Sequence, residues 1–396
     1  MSGKLISRSV WILSLVSMCT DMASEMLYPV MPVFLKSIGF SVLFIGILEG
    51  IAESVAGISK GYFGKLSDTK GRRLPFVQLG YGLSALSKPM LAFFIQPLWI
   101  FASRTIDRLG KGIRTGARDA MLSDETDAAN KGRVFGFHRS WDTAGAMLGP
   151  LFALIYLYYK PNAYRDLFLC AFIPGAIAII LTFLIKEKNK TDVTNRVKIH
   201  FWSFLKYWKK SPHSFKMLTI GLLLFTLANS SDVFLILKMK ESGLSDTTTL
   251  SIYIFYNLIY ALCAYPLGIL ADKIGFRRIF IIGLICFVAV YFGFGMFSGL
   301  RVFVLLFVIY ALYAAATEGV SKAWITNVVQ QKDTATAIGF YTSFQSLITL
   351  FASSFAGFLW MQFKAEYLFL FSGALTVGVI LYFIFIPQLW AHNDAI

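Results

Sequence analysis

Charged residues are scarce in this chain. Only 15% of its 396 residues are Asp, Glu, Lys or Arg, whereas a soluble globular domain carries about a quarter. Hydrophobic residues make up 57%, and the mean hydropathy is +0.65. This composition excludes a soluble enzyme, a fibrous protein and a disordered chain. The number of apolar residues is close to what about twelve membrane helices of roughly 20 residues each require.

Cysteine and histidine are equally few, with four of each. The cysteines are far apart, and neither a CxxC pair nor an HExxH motif occurs. A disulfide framework and a zinc site therefore have no support, and the sequence predicts no metal site. A GxxxxGK[ST] phosphate-binding loop is missing too, so we do not expect ATP to drive this protein directly. Because no nucleophile–base pair is recognisable, we do not expect an enzyme.

Apolar segments recur about every 30 residues, and they predict twelve membrane-spanning helices. The first apolar segment continues without a small-residue cleavage site, so we interpret it as a membrane helix and not as a removed signal peptide. The predicted spans are 10–34, 42–62, 74–95, 98–118, 134–157, 167–185, 217–237, 248–267, 279–298, 302–322, 335–360 and 367–386.

One long polar segment interrupts this series. It covers residues 186–216 and divides the chain into two sets of six spans. The predicted fold class is therefore an all-α membrane protein of two six-helix bundles, 1–185 and 217–396, joined by a basic linker. Within the linker, residues 197–208 mix aromatic residues with lysines, which favours an interfacial amphipathic helix over a disordered tether.

The net charge of +15 has a definite distribution. Basic residues gather at the N-terminus, in the loops 63–73, 119–133 and 268–278, and in the linker, which has nine of them. The positive-inside rule places these segments, and with them both termini, in the cytoplasm. The membrane topology thus explains the excess of positive charge, and we do not expect a nucleic-acid partner.

A short pattern occurs once in each half, with its glycines and aspartate shifted by 204 positions. Duplicated six-helix halves are typical of secondary transporters whose site lies between the repeats. The first copy, G-x-x-x-D-x-x-G-R-R between the second and third spans, resembles the signature loop of the major facilitator superfamily. The two copies consist of Gly64, Asp68, Gly71, Arg72 and Arg73, and of Gly268, Asp272, Gly275, Arg277 and Arg278.

The resemblance extends over essentially the whole chain and implies a bacterial alternating-access transporter, similar to proton antiporters of drugs or metabolites. In similar transporters this loop stabilises the outward-facing state. A gating role is therefore expected for its residues, in addition to anchoring at the cytoplasmic surface by the arginines. The aspartate is also suited to cap a helix N-terminus.

The fifth span carries a second resemblance. Gly136, Gly145, Gly149 and Pro150 fit the pattern G-x8-G-x3-G-P of exporters and antiporters in this superfamily, although the Gly-Gly that usually follows is absent. Small residues at such intervals allow two helices to pack backbone to backbone. The pattern favours export, and helix packing common to every member is the alternative.

Two acidic residues of the first span are the candidates for proton coupling. An ionisable side chain in hydrocarbon costs at least about 2.5–3.5 kcal/mol, so it needs a partner or a function. Asp21 and Glu25 are four residues apart, hence on one face, and no basic residue lies within four positions of either. Buried carboxylates beside like charges hold a proton more readily. Static pairing with the fourth span is the alternative.

The resemblance implies that spans 1, 4, 7 and 10 line a central cavity. Pairing within one helix is an equal alternative for Asp107 with its arginines and for Glu318 with Lys322. Lys88 is a candidate partner for a glutamate of the second span. The candidate cavity residues are Glu49, Glu53, Arg104, Asp107, Arg108, Arg139, Asp142, Asn229, Asp232, Tyr256, Asn257, Glu318, Lys322 and Gln345.

Together these features predict a proton-coupled secondary transporter that moves a small organic solute, with efflux by proton antiport as the first choice. The alternatives are a proton symporter or facilitator that imports a metabolite and, less favoured, a lipid flippase or a membrane sensor. We expect no cofactor, with the proton gradient as energy source. We also expect a monomer in contact with membrane lipids, spanning the bacterial inner membrane many times.

Overall fold

The computed structural model describes residues 6–28, 30–31, 34–35, 38–40, 42–187, 200–229 and 232–386, without the side chains of 42–50, 53, 246 and 247. Every regular element among these residues is a helix. The first six are α1 (Arg8–Glu25), α2 (Val42–Lys70), α3 (Leu74–Phe93), α4 (Pro97–Asp124), α5 (Lys131–Tyr159) and α6 (Tyr164–Thr182). The others are α7 (Tyr207–Lys210), α8 (His213–Ala228), α9 (Val233–Glu241), α10 (Asp246–Ile274), α11 (Phe276–Met296), α12 (Leu300–Asn327), α13 (Thr334–Gln362) and α14 (Ala365–Phe385).

Each of the twelve predicted spans corresponds to a helix, except that the seventh corresponds to α8 and α9 together. By length and composition, seven stretches in the described part of the chain are able to cross a membrane, and all seven lie after residue 163. The five earlier helices have 18 to 29 residues, and polar or charged residues lower their hydropathy. In α4, for example, eight of the 28 residues are charged.

The seventh span is interrupted near its middle. Its first part, α8, ends at Ala228, and Asn229 has an extended backbone (φ −89°, ψ 92°). The second part, α9, begins at Val233. Asn229 and Asp232 stand at the two ends of the interruption, and such side chains compete with the helix for backbone hydrogen bonds. The regular helix therefore stops before Asn229 and starts again after Asp232.

Several helices extend past the predicted ends of their spans. The second predicted span stops at 62 and the eighth at 267, but α2 continues to Lys70 and α10 to Ile274. The signature motif was expected to be a loop, and this expectation is wrong for most of its residues, because polar residues continue a helix beyond its apolar stretch. Gly71 and Gly275 end these helices with positive φ angles of 64° and 98°, which glycine adopts without strain.

The helices form two compact units. The first consists of Met1–Thr126, Trp141–Lys210 and Gln330–Ser343, and the second of Asp127–Ser140, Ser211–Val329 and Phe344–Ile396. Each unit therefore includes the beginning of one helix from the opposite half of the sequence: α13 contributes to the first and α5 to the second. Apart from these two segments the units follow the predicted bundles, whose boundaries stay a prediction.

The two units repeat one pattern of packing. In the first, α4 packs against α2 and α3, α3 against α6, and α6 against α1. In the second, α12 packs against α10 and α11, α11 against α14, and α14 against α8. The equivalent helices are six spans apart in the sequence. This correspondence agrees with a duplicated six-helix unit.

Candidate functional site

A group of charged side chains of the first unit gathers around one helix, α4. Its basic residues are spaced by three or four positions and so lie along one side of the helix. Acidic and basic residues of α1, α3 and α5 complete the group. We call it the first-unit charge cluster, and it consists of Asp21, Glu25, Lys88, Arg104, Asp107, Arg108, Lys111, Arg114, Arg118, Asp119 and Asp142.

Lys88 and Asp107 form the most deeply buried ion pair of this cluster. The Lys88 ammonium lies 2.6 Å from the Asp107 carboxylate, and the lysine side chain is only 1% exposed. Arg104 approaches the same carboxylate to 3.8 Å. Lys88, which was expected beside a glutamate of the second span, is thus joined to α4. This geometry supports a structural role for Asp107.

Two arginines of this cluster were missed in the sequence. Arg114 donates a hydrogen bond of 2.7 Å to Ser84, and its guanidinium lies 4.5 Å above the ring of Tyr81. Arg118 forms an ion pair of 2.8 Å with Asp119. Both lie inside the predicted span 98–118, but neither was named among the candidate cavity residues. The signal that could have found them is the spacing of basic residues by three or four positions, which extends from Arg104 to Arg118.

Asp142 of α5 is held against α1 by a serine. The Ser17 hydroxyl donates a hydrogen bond to the Asp142 carboxylate and accepts one of 3.2 Å from Arg118. Ser17, Asp21 and Glu25 follow one another at intervals of four residues, so they share a face of α1. Asp142 therefore faces the side of α1 that carries the two candidate coupling residues.

Asp21 and Glu25 are both half-buried. The cations that interact most with Asp21 are Lys111 and Arg114, and Glu25 interacts with Lys111 and Arg108. The positive charges that the first span lacks are thus supplied by α4. Lys111 is itself exposed, so its ammonium is accessible to a solute or to water. Both the proton-binding and the static-pairing interpretations are compatible with this arrangement.

The glycines of the fifth span explain how α5 comes so close to α1. A Cβ atom on Gly145 would lie 2.2 Å from the carbonyl oxygen of Met18, and one on Gly149 would lie 2.6 Å from that of Met22. The helix continues through Pro150. Gly136 contacts a different helix, because its Cβ would lie 2.5 Å from the carbonyl oxygen of Ala264 in α10.

A second group of polar side chains lies in the other unit. The Tyr310 hydroxyl donates a hydrogen bond of 2.7 Å to Asp232, and the Asn229 amide donates one of 3.0 Å to the Tyr313 hydroxyl. Both polar residues at the break between α8 and α9 are therefore fixed to α12. The two tyrosines were not predicted, since aromatic residues are frequent throughout this chain.

Arg139 connects α5 to α10 and α12. Its guanidinium forms an ion pair with Glu318 and donates a hydrogen bond to the Tyr260 hydroxyl. The expected pairing of Glu318 inside its own helix is therefore at most one of its contacts. Tyr256 packs against Tyr260, with ring centroids 6.0 Å apart. Tyr256 and Tyr260 are only 4% and 2% exposed, so neither lines an open cavity.

The remaining predicted cavity residues have less specific surroundings. Asn257 donates a hydrogen bond of 3.0 Å to the Tyr253 carbonyl oxygen within its own helix. Gln345 is half-buried. Glu49 and Glu53 are among the residues whose side chains the structure does not describe. Asp142 and Arg139 were predicted together, but they fall in different units, since α5 contributes to both.

The signature aspartate of the first half lies at the beginning of α13. The Asp68 carboxylate accepts hydrogen bonds of 2.7 Å from both the backbone N–H and the hydroxyl of Thr336. It also pairs with Arg73 at 3.1 Å. Arg73 in turn pairs with Asp124 and donates a hydrogen bond of 3.1 Å to the carbonyl oxygen of Gln331. The aspartate therefore caps a helix N-terminus, but the helix comes from the opposite half of the chain.

Its counterpart in the second half has the equivalent contact. The Asp272 carboxylate accepts hydrogen bonds of 2.6 Å from the N–H of Gly132 and of 2.7 Å from that of Arg133, at the start of α5. Arg277 donates a hydrogen bond of 2.6 Å to the carbonyl oxygen of Ile384. Arg72 and Arg278, by contrast, are exposed.

The family of this chain follows from its sequence and fold. The model of the Major Facilitator Superfamily matches residues 13–255 and 218–394. The chain belongs to this superfamily. An uncharacterised MFS-type transporter of Methanocaldococcus jannaschii, MJ1317, is 33% identical to it over 390 residues, which are 96% of this chain and 95% of that protein.

More distant relatives agree with this assignment. The multidrug resistance protein MdtG of Salmonella schwarzengrund is 24% identical over 277 residues, 67% of each chain. The crystal structure of the Escherichia coli fucose:proton symporter FucP superposes with a TM-score of 0.77 at 12% identity, over 95% of this chain and 98% of that one. The predicted twelve-helix fold of this superfamily is confirmed. The protein is a multi-pass membrane transporter of small molecules, from a family that is not enzymatic.

Proposed function

We propose that this protein exports a small organic solute in exchange for protons, by alternating access, with Asp21 and Glu25 of α1 as the proton-binding groups. The observation that carries the proposal is the position of these two carboxylates. They are half-buried on one face of a membrane helix, and the cations that act most strongly on them come from α4. Coupling requires acidic groups that gain and lose a proton within the membrane.

The charges of α4 give this proton step a mechanical consequence. An ionised Asp21 or Glu25 attracts Lys111, and a protonated one does not. Proton binding therefore changes the attraction between α1 and α4 and biases which of two conformations is populated. A solute that binds at the ionised carboxylates is displaced when they are protonated. Such competition between solute and proton produces antiport.

Two further observations support export as the direction of transport. The relative MdtG is a multidrug resistance protein, and the fifth span carries the glycine pattern similar to that of exporters. In this chain Gly145 and Gly149 set the close contact between α5 and α1, which is the contact that positions Asp142 beside the coupling face. Import by proton symport is the rival function and would use the same carboxylates.

The signature aspartates act as gating residues in this proposal. Asp68 binds the start of α13 when the transporter is in one state and releases it in the other, and Asp272 does the same for α5. The bundles 1–185 and 217–396 are the moving bodies. In this proposal both aspartates and both termini lie on the cytoplasmic side of the bacterial inner membrane, and the distribution of basic residues supports this orientation. The protein acts as a monomer, without a cofactor and without nucleic acid.

Transport by the purified protein in liposomes tests the proposal. A thermal-shift screen of compound classes first supplies a binding solute, and a pH-sensitive dye inside the liposomes then reports proton movement. We expect solute and proton to move in opposite directions. Asp21→Asn is expected to abolish transport driven by a pH gradient while folding persists, because the asparagine cannot exchange a proton.

A matched control is Asp166→Asn, which removes an exposed carboxylate from the first turn of α6. It should leave gradient-driven transport unchanged. Movement of solute and proton in the same direction would show symport instead of export. Full gradient-driven transport by the Asp21→Asn protein would refute the coupling role of Asp21.

A further inference from the structure

The end of the linker is an ordered helical segment attached to the first unit. A 3-10 helix (Phe201–Lys206) continues directly into α7, and we call residues 201–210 the linker segment. One of its faces is buried. The ring of Phe204 packs closely on Gly61, and a Cβ atom added to this glycine would lie only 2.5 Å from the ring. Trp208 stacks on Phe340, with ring centroids 5.6 Å apart.

The opposite face of the linker segment is exposed and has a distinctive composition. Phe201, Trp202 and Leu205 are 42%, 57% and 39% exposed. Three lysines, Lys206, Lys209 and Lys210, are exposed beside them. No acidic residue occurs anywhere in the stretch 200–216. The face therefore combines aromatic and aliphatic surface with positive charge that no acidic residue of this stretch neutralises.

The position of the segment in the chain indicates what this face meets. It ends three residues before His213, the first residue of the membrane helix α8, and its buried face contacts the membrane helices α2 and α13. It is therefore close to the level at which these helices leave the hydrocarbon. At that level tryptophan and phenylalanine side chains lie at the boundary between lipid headgroups and acyl chains, and lysines are attracted to anionic lipids. A surface in bulk water would instead leave this apolar area hydrated at a cost.

We propose that the linker segment is a binding surface for anionic phospholipids. Lys206, Lys209 and Lys210 contact the headgroup phosphates, while Phe201 and Trp202 lie at the boundary with the acyl chains. The proposal rests on the membrane location of the protein and not on the direction or coupling of transport. Because the buried face holds Phe340 at the start of α13, lipid bound here also anchors that helix end to the membrane surface.

Fluorescence quenching by brominated lipids tests the proposal on the full-length protein in nanodiscs. The probe is Trp202, whose signal is the difference between the wild-type protein and the Trp202→Phe variant. We expect brominated phosphatidylglycerol to quench this signal more than brominated phosphatidylcholine does. Neutralising the three lysines together (K206Q, K209Q and K210Q) should reduce the preference by about fivefold for each lysine removed.

A control variant removes the same number of exposed basic residues elsewhere (K160Q, R165Q and K364Q) and should keep the full preference at Trp202. Raising the salt concentration should weaken the preference in the wild-type protein, a measurement that needs no variant. Equal quenching by the two lipids in the wild-type protein would overturn the proposal. An unchanged preference in the triple-lysine variant, or an equal loss in the control, would overturn it as well.

Discussion

Lys88 shows how this protein accommodates a charge in the middle of a membrane helix. The predicted third span contains no other charged residue, yet its single lysine is almost completely buried. Its ammonium lies 2.6 Å from Asp107, and the attraction between the two ions offsets the cost of removing both from water. The pair also joins α3 to α4, the helix that carries most of the charge cluster.

Removing one member of this pair should therefore be more harmful than removing both. Lys88→Met is expected to lower the free energy of unfolding by about 3–5 kcal/mol, because Asp107 keeps a buried negative charge without its closest cation. The double variant K88M/D107L should lose less than the single one. Unfolding in detergent, followed by circular dichroism, measures both. The exposed Lys160→Met is the control, and a loss in Lys88→Met no greater than in this control would contradict the prediction.

At this scale the sequence allowed the charged residues to be identified but not their partners. Asp21 and Glu25 were recognised because acids inside an apolar segment are conspicuous whatever they contact. The partner of Lys88 was predicted on α2 and is found on α4, since the rotation of α3 about its own axis is not visible in the chain. Ser17 was overlooked for a related reason, because a serine in a membrane helix becomes informative only once Asp142 is seen beside it.

Helix α5 is the element whose packing depends most visibly on its small residues. Its first part belongs to the second unit and its remainder to the first. Gly136 meets α10, while Gly145 and Gly149 meet α1, each at a distance that leaves no room for a side chain. The glycines of this pattern thus bring one helix against two different neighbours along its length.

A single methyl group at the α1 contact should disturb this packing. Gly145→Ala is expected to lower the free energy of unfolding by about 1–3 kcal/mol, because the new Cβ would overlap the Met18 carbonyl oxygen and force the helices apart. The same displacement should reduce transport by moving Asp142 away from Ser17. Thermal unfolding and liposome transport are the measurements.

The control for that variant is Gly82→Ala in α3, where no atom lies within 4 Å of the added Cβ. There alanine should leave stability unchanged or raise it by up to about 1 kcal/mol, since it has the higher helix propensity. If the two substitutions had the same effect, the close contact of α5 with α1 would not be the cause.

The elements themselves were largely predictable, and their ends were not. Hydropathy located all twelve spans, because a helix in hydrocarbon must be apolar over its length. It placed the ends of α2, α4 and α10 too early, because their last turns are polar and continue as helix. The break in the seventh span was missed, since its apolar average is high on both sides of Asn229.

The whole molecule is built from two equivalent halves of the sequence, and each half binds the start of one helix from the other half. Asp68 caps the start of α13, and Asp272 caps the start of α5. The two aspartates are equivalent positions of the repeated motif, and their target helices are the eleventh and fifth spans, again six spans apart. These contacts explain why the compact units differ from the halves of the sequence at residues 127–140 and 330–343.

Neutralising Asp68 should loosen the start of α13. Asparagine at this position accepts weaker hydrogen bonds than a carboxylate. The loss of about 1.5–3 kcal/mol of binding energy would shift the equilibrium between attached and separated ends of α2 and α13 toward separation by a factor of roughly 10 to 150. Spin labels at Lys70→Cys and Lys332→Cys, with the four free cysteines replaced, report the separation. We expect longer distances in the Asp68→Asn protein.

Asp127→Asn serves as its control, because that exposed aspartate makes no side-chain cap at its own helix start. It should leave the distance distribution as it is in the wild-type protein. An unchanged distribution in the Asp68→Asn protein would show that the aspartate does not hold α13.

The sequence by itself determined the class of this protein, its twelve spans, its duplication and its superfamily. These properties are recorded in hydropathy and in spacing along the chain, which need no knowledge of contacts. The tertiary structure decided which side chains meet: Lys88 with Asp107, Ser17 with Asp142, and Asp68 with Thr336. Two of these pairs are more than a hundred residues apart, and in all three the partner depends on how the helices are rotated and packed against one another.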